Sequence, residues 1–310
     1  MRLFRDNHRS DLSDGCIVTI GNFDSMHLGH QVLIDRCREL AGTGLDSAVV
    51  TFEPLPAALF APNNAPPRVV SVRQKLELLA KSGMDLVWMM RFNRALAGMS
   101  ARSFVERVIV TGLRARQVVV GEDFQFGRSR SGNLELLADL GREFGFEVQA
   151  IPAVMDAGER VSSTRIRGLL AGGKFGEVEK LLGRPFTMQG RVLRGTQLGR
   201  KLGYPTANMR PAAFPSPLAG VFAVRARNLT GKGPWRDGVS SLGRRPVVGG
   251  KEFLVEVHLF DFDGDLYGRR LEVRFVKKLR NEQKFENLDA LVAQMRRDEQ
   301  EAREALRASP

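Results

Sequence analysis

The sequence has few of the residues that define several common protein classes. It contains only two cysteines in 310 residues, Cys16 and Cys37, too few for a disulfide framework and without metal-ligand spacing nearby. Aromatic residues make up 7%, which is little for a platform that stacks single-stranded bases. No stretch approaches the roughly 18 consecutive apolar residues of a membrane helix, and the first residues lack the apolar segment of a signal peptide. We therefore expect a cytoplasmic protein.

Two nucleotide-binding fingerprints are also missing. The chain has neither the Gly-x-Gly-x-x-Gly dinucleotide motif nor the Walker phosphate loop, which argues against hydride transfer and P-loop chemistry. With 26% charged and 43% hydrophobic residues it has a globular composition. Its length predicts two domains, since one domain typically takes about 100–200 residues.

Positive charge is concentrated in the second part of the chain. The formal net charge is +12, and residues 186–310 hold 23 basic against 14 acidic residues. Such a surplus is typical of proteins that bind nucleic acid, but it equally suits a substrate with several phosphates.

The hydrophobic pattern divides the chain into two architectures. Between residues 17 and 151, continuous apolar strands alternate with helical segments, which predicts an α/β doubly wound parallel sheet of the Rossmann-like kind. After about Leu182, short strands separated by glycine and proline predict a small antiparallel β-barrel. A C-terminal helix from Asn287 is expected to pack its apolar stripe on the barrel. The predicted domains are residues 1–183 and 184–310.

The loop after the first strand predicts an anion site. His27 and His30 lie three apart at a helix start, with Gly21 and Gly29 beside them. Two imidazoles in this position add hydrogen-bond donors to the N–H groups and positive dipole end of the helix. A glycine between them lets the backbone approach a phosphate closely.

A second anion site is predicted at residues 161–167. Ser162, Ser163 and Thr164 are natural helix-capping residues, whose hydroxyls and amides can hold phosphate oxygens. Arg165 supplies a cationic fork for the same group. Together with the histidine motif, this segment is expected to form the other side of a triphosphate site.

The second domain begins with a glycine-rich loop that suits phosphate. The backbone amides of three glycines at a spacing of four, Gly195, Gly199 and Gly203, could surround phosphates. Two basic residues in the same loop, Arg200 and Lys201, add positive charge. Thr206 and Asn208 follow, offering oxygens on one side of an extended segment, as magnesium prefers. The acidic turn over residues 261–268 is expected to be a hairpin connection.

These motifs together resemble a known family. His27-Leu-Gly-His30 with Ser163-Thr-Arg-Ile-Arg167 resembles the nucleotidylyltransferase superfamily, and Gly121-Glu-Asp-Phe-Gln-Phe-Gly127 narrows the likeness. Over nearly its whole length the chain looks like a bacterial bifunctional riboflavin kinase/FMN adenylyltransferase, the FAD synthetase family. That resemblance implies two ATP-dependent reactions, riboflavin to FMN in the barrel and FMN to FAD in the α/β domain.

The resemblance also implies roles for particular residues. His27 and His30 would stabilise charge on the ATP phosphates, and Glu256 would be the general base of the kinase. Mg²⁺ would be held by Thr206 and Asn208. Residues implied in binding ATP or flavin are Gly21, Phe23, Asp24, Gly29, Asp123, Ser163, Thr164, Arg165, Arg167, Gly195, Gly199, Arg200, Lys201, Gly203 and Pro205.

Two departures from the family pattern leave alternatives open. Ser25 stands where the family usually has glycine, and Leu55 where many relatives have histidine. One alternative is therefore a single-activity riboflavin kinase; another is a nucleotidyltransferase with an RNA-binding barrel. The expected partners are riboflavin, FMN and ATP, with no nucleic acid or membrane. We expect a monomer or weak homo-oligomer, with flavoproteins as candidate clients of the product.

Overall fold

Two units make up the chain in a computed structural model. It describes residues 1–5, 14–62, 64–194, 199, 202–211, 215–231, 233–247 and 250–309, without the side chains of 244–247 and 250–252. Met1–Pro66 and Val72–Ser162 form the first unit, and Pro67–Ser71 with Ser163–Pro310 form the second.

The first unit is built on a parallel sheet. Its strands are β1 (Arg2–Arg5), β2 (Cys16–Ile20), β3 (Asp46–Glu53), β4 (Leu86–Arg91), β5 (Ala115–Gly121) and β6 (Glu147–Ile151). They lie in the order β1-β4-β3-β2-β5-β6, and every neighbouring pair is parallel. A short hairpin of β7 (Met155–Asp156) and β8 (Glu159–Arg160) follows. The predicted doubly wound parallel sheet is confirmed.

Helices cover both faces of this sheet. They are α1 (Leu28–Ala41), α2 (Pro56–Phe60), α3 (Val72–Lys81), α4 (Arg94–Ala97), α5 (Ala101–Phe104), a π-helical segment (Val105–Gly112), a 3-10 turn (Arg128–Arg130) and α6 (Leu134–Phe144). Alternate strand residues point to opposite faces. Val49 packs in one core with Ile34 of α1 and Leu79 of α3, whereas Val50 packs in another with Phe104 and Leu137.

The strand order reverses at β2, which places a crevice at its carboxyl end. The chain passes from β2 to β3 on one side, while β5 pairs with the other side of β2. Ligands of open α/β sheets bind where the loops from such a reversal separate. The loops that begin at Gly21 and Glu122 lie at this position.

The second unit contains a closed antiparallel barrel, as predicted. Its strands are β9 (Thr187–Leu193), β10 (Ala207–Pro211), β11 (Gly220–Asn228), β12 (Arg236–Val247), β13 (Gly250–Leu259) and β14 (Arg270–Arg280), in the order β10-β13-β12-β11-β14-β9. The expectation that residues 261–268 form a hairpin connection is wrong. That turn joins β13 to β14, which are not neighbours, because β13 pairs with β10 and β12 while β14 pairs with β11 and β9.

Helices α7 (Ser163–Ala171), α8 (Phe175–Leu182) and α9 (Leu288–Arg307) accompany the barrel. Phe175 of α8 is buried against the rings of Phe222 and Phe275 inside the barrel. This packing explains why the compact unit starts at Ser163, about 20 residues before the domain boundary at 183/184 that the sequence predicts. The boundary between the two activities stays a prediction.

The C-terminal helix α9 packs on the barrel, as predicted. Ala302 and Leu306 are buried in one core with Ala223 and Phe260. At the start of the helix Leu288 is 56% exposed, whereas Leu291, Val292 and Met295 are half-buried. None of the helices in the described ranges is long and apolar enough to cross a membrane.

Candidate active sites

The two histidines of the first unit are held by the start of helix α1. His27 caps the helix, and its Nδ1 accepts a hydrogen bond from the backbone N–H of His30 at 3.2 Å. Because Nδ1 accepts, the proton of a neutral His27 ring lies on Nε2. The two rings stack with centroids 3.7 Å apart. The spacing of three brings the two rings together at the helix start, and their joint binding of an anion stays a prediction.

The loop before the histidines has an unusual backbone. Phe23 and Met26 have φ of +48° and +50°, in the left-handed region that costs non-glycine residues about 1–3 kcal/mol each. The Phe23 ring is fully buried and lies 4.9 Å from the ring of His30. Gln31 donates a hydrogen bond to the carbonyl of Met26 at 2.9 Å. The loop is thus held in a strained conformation that supports His30.

Ser25 lies buried within this loop. Its φ is not in the left-handed region, and its side chain is fully buried. It lines neither of the two cavities described below, and nor does the buried Asp24. The side chain that departs from the family pattern therefore does not contribute to the lining of either cavity.

A buried lysine ties the loop to the neighbouring strand. Lys75 of α3 is 0% exposed, and its Nζ donates to the carbonyl of Asn22 (3.1 Å), Thr51 Oγ1 (3.1 Å) and the carbonyl of Phe52 (3.4 Å). Thr51 Oγ1 also donates to the Asn22 carbonyl at 3.1 Å. The ammonium group therefore fixes the start of the loop against the carboxyl end of β3.

Two adjoining cavities open at the carboxyl edge of the sheet. The smaller, about 170 Å³, is lined by polar groups that include His27, His30 and Ser162. The larger, about 850 Å³, is mainly apolar, and its aromatic lining consists of Phe52, Phe60, Phe92, Phe104, Phe124 and Phe126. Gly21 and Asp123 line both cavities, so the two form neighbouring parts of one crevice.

An ion pair lies where the two cavities meet. Asp123 accepts hydrogen bonds from Arg160 of β8 at 2.7 and 2.8 Å. The guanidinium of Arg160 lowers the pKa of the Asp123 carboxyl below its usual value. Asp123 therefore faces both cavities as a carboxylate already paired with a cation.

The predicted second anion segment falls in the second unit. Ser162 lines the small cavity of the first unit, and the next residue, Ser163, begins α7. Thr164 is exposed, and Arg165 is half-buried. Arg167 donates from Nε to the carbonyl of Pro67 at 2.6 Å. That Ser163, Thr164 and Arg165 bind a triphosphate together with the two histidines stays a prediction.

The glycine-rich loop of the second unit is partly described. Gly195, Arg200 and Lys201 lie outside the described residues. A Cβ on Gly199 would lie 2.3 Å from the Tyr204 carbonyl oxygen, and the Tyr204 N–H donates to the Gly199 carbonyl at 2.8 Å. Glycine is therefore required at 199, where the loop closes on itself before Pro205.

Thr206 and Asn208 line a cavity of about 530 Å³ in the second unit. Two carboxylates from the turn after β13, Asp263 and Asp265, line the same cavity. Asn208 pairs directly with Glu256 in the β10–β13 ladder. Directly paired residues share a face, with Cβ atoms about 4.5–5.5 Å apart. The sheet thus brings the predicted metal ligand beside the predicted base.

The comparisons with known proteins agree with this two-site arrangement. A family model for FAD synthetase matches residues 9–165, and a family model for riboflavin kinase matches residues 182–306. The bifunctional riboflavin kinase/FMN adenylyltransferase of Escherichia coli (strain K12) is 43% identical over 307 residues, spanning 98% of this chain and 97% of that protein. This chain belongs to the bifunctional riboflavin kinase/FMN adenylyltransferase family.

Further relatives extend the likeness. The family member from Pseudomonas fluorescens is 44% identical over 301 residues, spanning 96% of this chain and 94% of its own length. A crystal structure described as a macrolide-efflux protein from Streptococcus pneumoniae matches with a TM-score of 0.82 and 29% identity, covering 97% of this chain and 98% of that one. Efflux is the description of that protein alone; both family models assign this chain to flavin-nucleotide synthesis.

The family matches also locate the motifs. The FAD synthetase match includes both histidines and Ser163–Arg165, although the latter fold with the second unit. The riboflavin kinase match includes Thr206, Asn208 and Glu256. Since the barrel matches riboflavin kinase, the alternative of an RNA-binding barrel has no support from these comparisons.

Sequence reasoning missed several residues that the fold places at the sites. Lys75 has a recognisable signal, because it lies four residues before Leu79 on the buried face of α3. Arg160 immediately precedes the predicted segment that begins at Val161, but its partner Asp123 is distant in sequence. No single motif predicted the aromatic lining, since its members come from five separate segments of the chain and only Phe124 and Phe126 fall within the motif at residues 121–127.

Proposed function

We propose that this chain makes FMN from riboflavin in its second unit and FAD from FMN in its first, with ATP as donor in both reactions. The observation that carries the proposal is that each unit has its own cavity lined by side chains of the types that bind phosphate or metal ions. These are His27 and His30 in one unit, and Thr206 and Asn208 in the other. Two reactions that each consume ATP require two such sites.

The paired cavities of the first unit suit the two ends of FMN. An isoalloxazine ring is large, flat and apolar on its faces, and the 850 Å³ cavity offers aromatic rings for it to pack against. Gly21 and Asp123 line both this cavity and the smaller one, which contains His27 and His30. A flavin seated among the aromatic rings would therefore direct its phosphate towards His27 and His30.

Adenylyl transfer in this site needs positioning and charge stabilisation rather than a covalent nucleophile. A phosphate oxygen of FMN attacks the α-phosphorus of ATP, and the bond from that phosphorus to the bridging β-phosphate oxygen breaks to release pyrophosphate. His27 and His30 donate hydrogen bonds to the negative charge, aided by the α1 N-terminus and close backbone at Gly29. Ser163, Thr164, Arg165 and Arg167 hold the triphosphate, with Phe23 and Asp24 supporting the loop.

Phosphoryl transfer takes place in the second unit. Glu256 accepts the proton of the riboflavin 5′-hydroxyl while that oxygen attacks the γ-phosphorus of ATP, and the bond to the β-phosphate oxygen breaks to release ADP. The glycine-rich loop surrounds the phosphates through Gly195, Gly199, Arg200, Lys201, Gly203 and Pro205. The direct pairing of Asn208 with Glu256 in the β10–β13 ladder supports this assignment.

The residues at Thr206 and Asn208 fit Mg²⁺. They contribute neutral oxygens to a cavity that Asp263 and Asp265 also line. In the described ranges, no group of three or more His, Cys, Asp or Glu side chains is arranged to hold a metal. Mg²⁺ commonly binds through few protein ligands together with water and substrate phosphates. When bound, it neutralises phosphate charge.

A chromatographic time course tests the proposal. Purified protein with riboflavin, ATP and Mg²⁺ should form FMN first and FAD afterwards. Glu256→Gln should stop FMN formation while FMN supplied directly is still converted to FAD, and His30→Ala should give the reverse. General base removal typically costs about 10²–10⁴-fold in rate. Loss of both activities from either variant in folded protein would contradict the division between the units.

The alternative of a riboflavin kinase without adenylyltransferase activity has a distinct result in the same assay. FMN would accumulate, and FMN supplied directly would remain unconverted. Ser25 is buried and lines neither cavity of the first unit, which supports retention of both activities. Sedimentation analysis tests whether the protein is a monomer or weak homo-oligomer. Flavoprotein clients and a cytoplasmic location stay predictions.

A further inference from the structure

Strand β13 carries a second polar side chain on the same face as Glu256. Val255, Val257 and Leu259 alternate as its buried residues, and Glu256 and His258 occupy the positions between them. The ladder pairs Ala207 with Val257 and Asn208 with Glu256. Residues two apart in a strand face the same side. His258 therefore lies beside the proposed base and opposite the residues that lead into β10.

The imidazole of His258 contacts the backbone just before the proposed metal ligands. Its Nδ1 lies 2.8 Å from the carbonyl oxygen of Pro205. A carbonyl oxygen only accepts, so Nδ1 must carry the hydrogen. This donor is present in the neutral Nδ1–H tautomer and in the cation alike. The bond therefore does not require a particular charge on the ring.

Pro205 lies between the glycine-rich loop and strand β10. The Tyr204 N–H bonds back to Gly199 within the loop, whereas the β10 ladder with β13 begins at Ala207. Proline has no N–H with which to join the ladder. The His258 contact ties the intervening carbonyl to the strand that bears Glu256, directly before Thr206.

Neighbouring groups restrict the His258 ring. The rings of Tyr204 and Phe260 lie against it edge-on, with centroids 5.1 and 5.9 Å away. Glu299 and Arg296 of α9 lie within electrostatic reach of Tyr204. Asp261 is the nearby carboxylate, and it pairs with Arg303 at 3.0 and 3.2 Å. Packing on both sides thus keeps the Nδ1–H directed at Pro205.

We propose that His258 is a positioning residue of the riboflavin kinase reaction. It fixes the Pro205 carbonyl to β13, and so sets Thr206 and Asn208 in register with Glu256. The inference rests on the proposed kinase function of the second unit. Misplacement of reacting groups by about 1 Å can cost roughly 100-fold in rate. We therefore expect loss of this bond to lower the kinase kcat/KM by about 10- to 100-fold.

Substitutions of His258 separate the effect of losing the hydrogen bond from the effect of losing the volume of the imidazole ring. His258→Asn places an amide nitrogen near the position of Nδ1, whereas His258→Gln places it nearer to Nε2. We expect the Asn variant to stay within about threefold of the unsubstituted protein, and the Gln and Phe variants to lose about 10- to 100-fold. The two impaired variants should also need more Mg²⁺ for half-maximal rate.

The second activity and a neighbouring residue provide controls. Conversion of supplied FMN to FAD by the same samples should be unchanged, because it takes place in the other unit. Asp261→Asn removes the adjacent ion pair without touching Pro205, and its φ of +52° suits asparagine. This variant should keep kinase activity within about twofold, given the small worth of exposed ion pairs.

The pH profile distinguishes positioning from proton transfer. If His258 only positions the loop, the kinase kcat/KM of His258→Asn follows the same pH profile as the unsubstituted protein. Loss of a limb of that profile, or equal kinase rates in the Asn, Gln and Phe variants, would overturn the proposal. Absence of FMN formation by the unsubstituted protein would instead refute the kinase function itself.

Discussion

Replacement of Lys75 by methionine should impair FAD formation while leaving FMN formation intact. Methionine has a similar length and no hydrogen-bond donor, so the substitution removes the bonds to the Asn22 carbonyl, Thr51 Oγ1 and the Phe52 carbonyl. Thr51 still donates to Asn22. The change therefore isolates the contribution of the ammonium group to the loop that supports the histidines.

The size of the effect follows from the contacts. Loss of a hydrogen bond at a buried acceptor costs about 1–3 kcal/mol. Three acceptors lose a donor, but the Phe52 carbonyl is the most distant, at 3.4 Å, and the Asn22 carbonyl keeps its bond from Thr51. We therefore expect a total loss of about 3 kcal/mol. The strain at Phe23 and Met26, about 1–3 kcal/mol each, favours relaxation of the loop once that anchor is lost. A change of about 3 kcal/mol lowers the population of the competent loop by roughly 100-fold.

The assay measures kcat/KM for FAD formation from supplied FMN, with riboflavin phosphorylation in the same sample as a test of folding. Lys75→Met should lower the first by about 10- to 100-fold and leave the second unchanged. Lys81→Met, at the exposed end of the same helix, is the matched control and should keep both activities. If Lys75→Met retained more than half of its FAD-forming activity, the reasoning about the loop would be refuted.

Three further predictions concern other parts of the chain. Phe60, which is 70% exposed at the aromatic cavity, should stack on the flavin, so Phe60→Ala should raise the KM for FMN about 10-fold, measured against an unchanged riboflavin kinase rate. Gly199→Ala should lower the kinase rate at least 10-fold, since its Cβ would meet the Tyr204 carbonyl; unchanged FMN formation would show that the loop can move. Burial raises the pKa of Cys16 to about 12 and also raises that of Cys37, so neither thiol should react with a disulfide reagent at pH 8 until the protein is unfolded.

Local sequence signals predicted the parts of the sites that lie within one segment. His27 and His30 share a helix start, so a spacing of three was enough to bring their rings together. Asn208 and Glu256 were each singled out by type and motif, but their pairing depends on the β10–β13 register. The register of antiparallel strands is set by burial across the whole barrel. No short motif could therefore supply it.

The parts that sequence could not predict are contacts between distant segments, and these determine how the motifs are held. Helical spacing puts Lys75 on the same face as Leu79, but only the fold shows that its ammonium group bonds to the Asn22 carbonyl. Ser25 gives a different case, because its type left the adenylyltransferase activity in question, whereas the fold buries its side chain and leaves it out of the lining of both cavities. A substitution in this loop should matter when it removes a contact that holds the strained backbone. Because Lys75 makes such contacts and Ser25 lines neither cavity, we expect the adenylyltransferase to tolerate Ser25 and not the loss of Lys75.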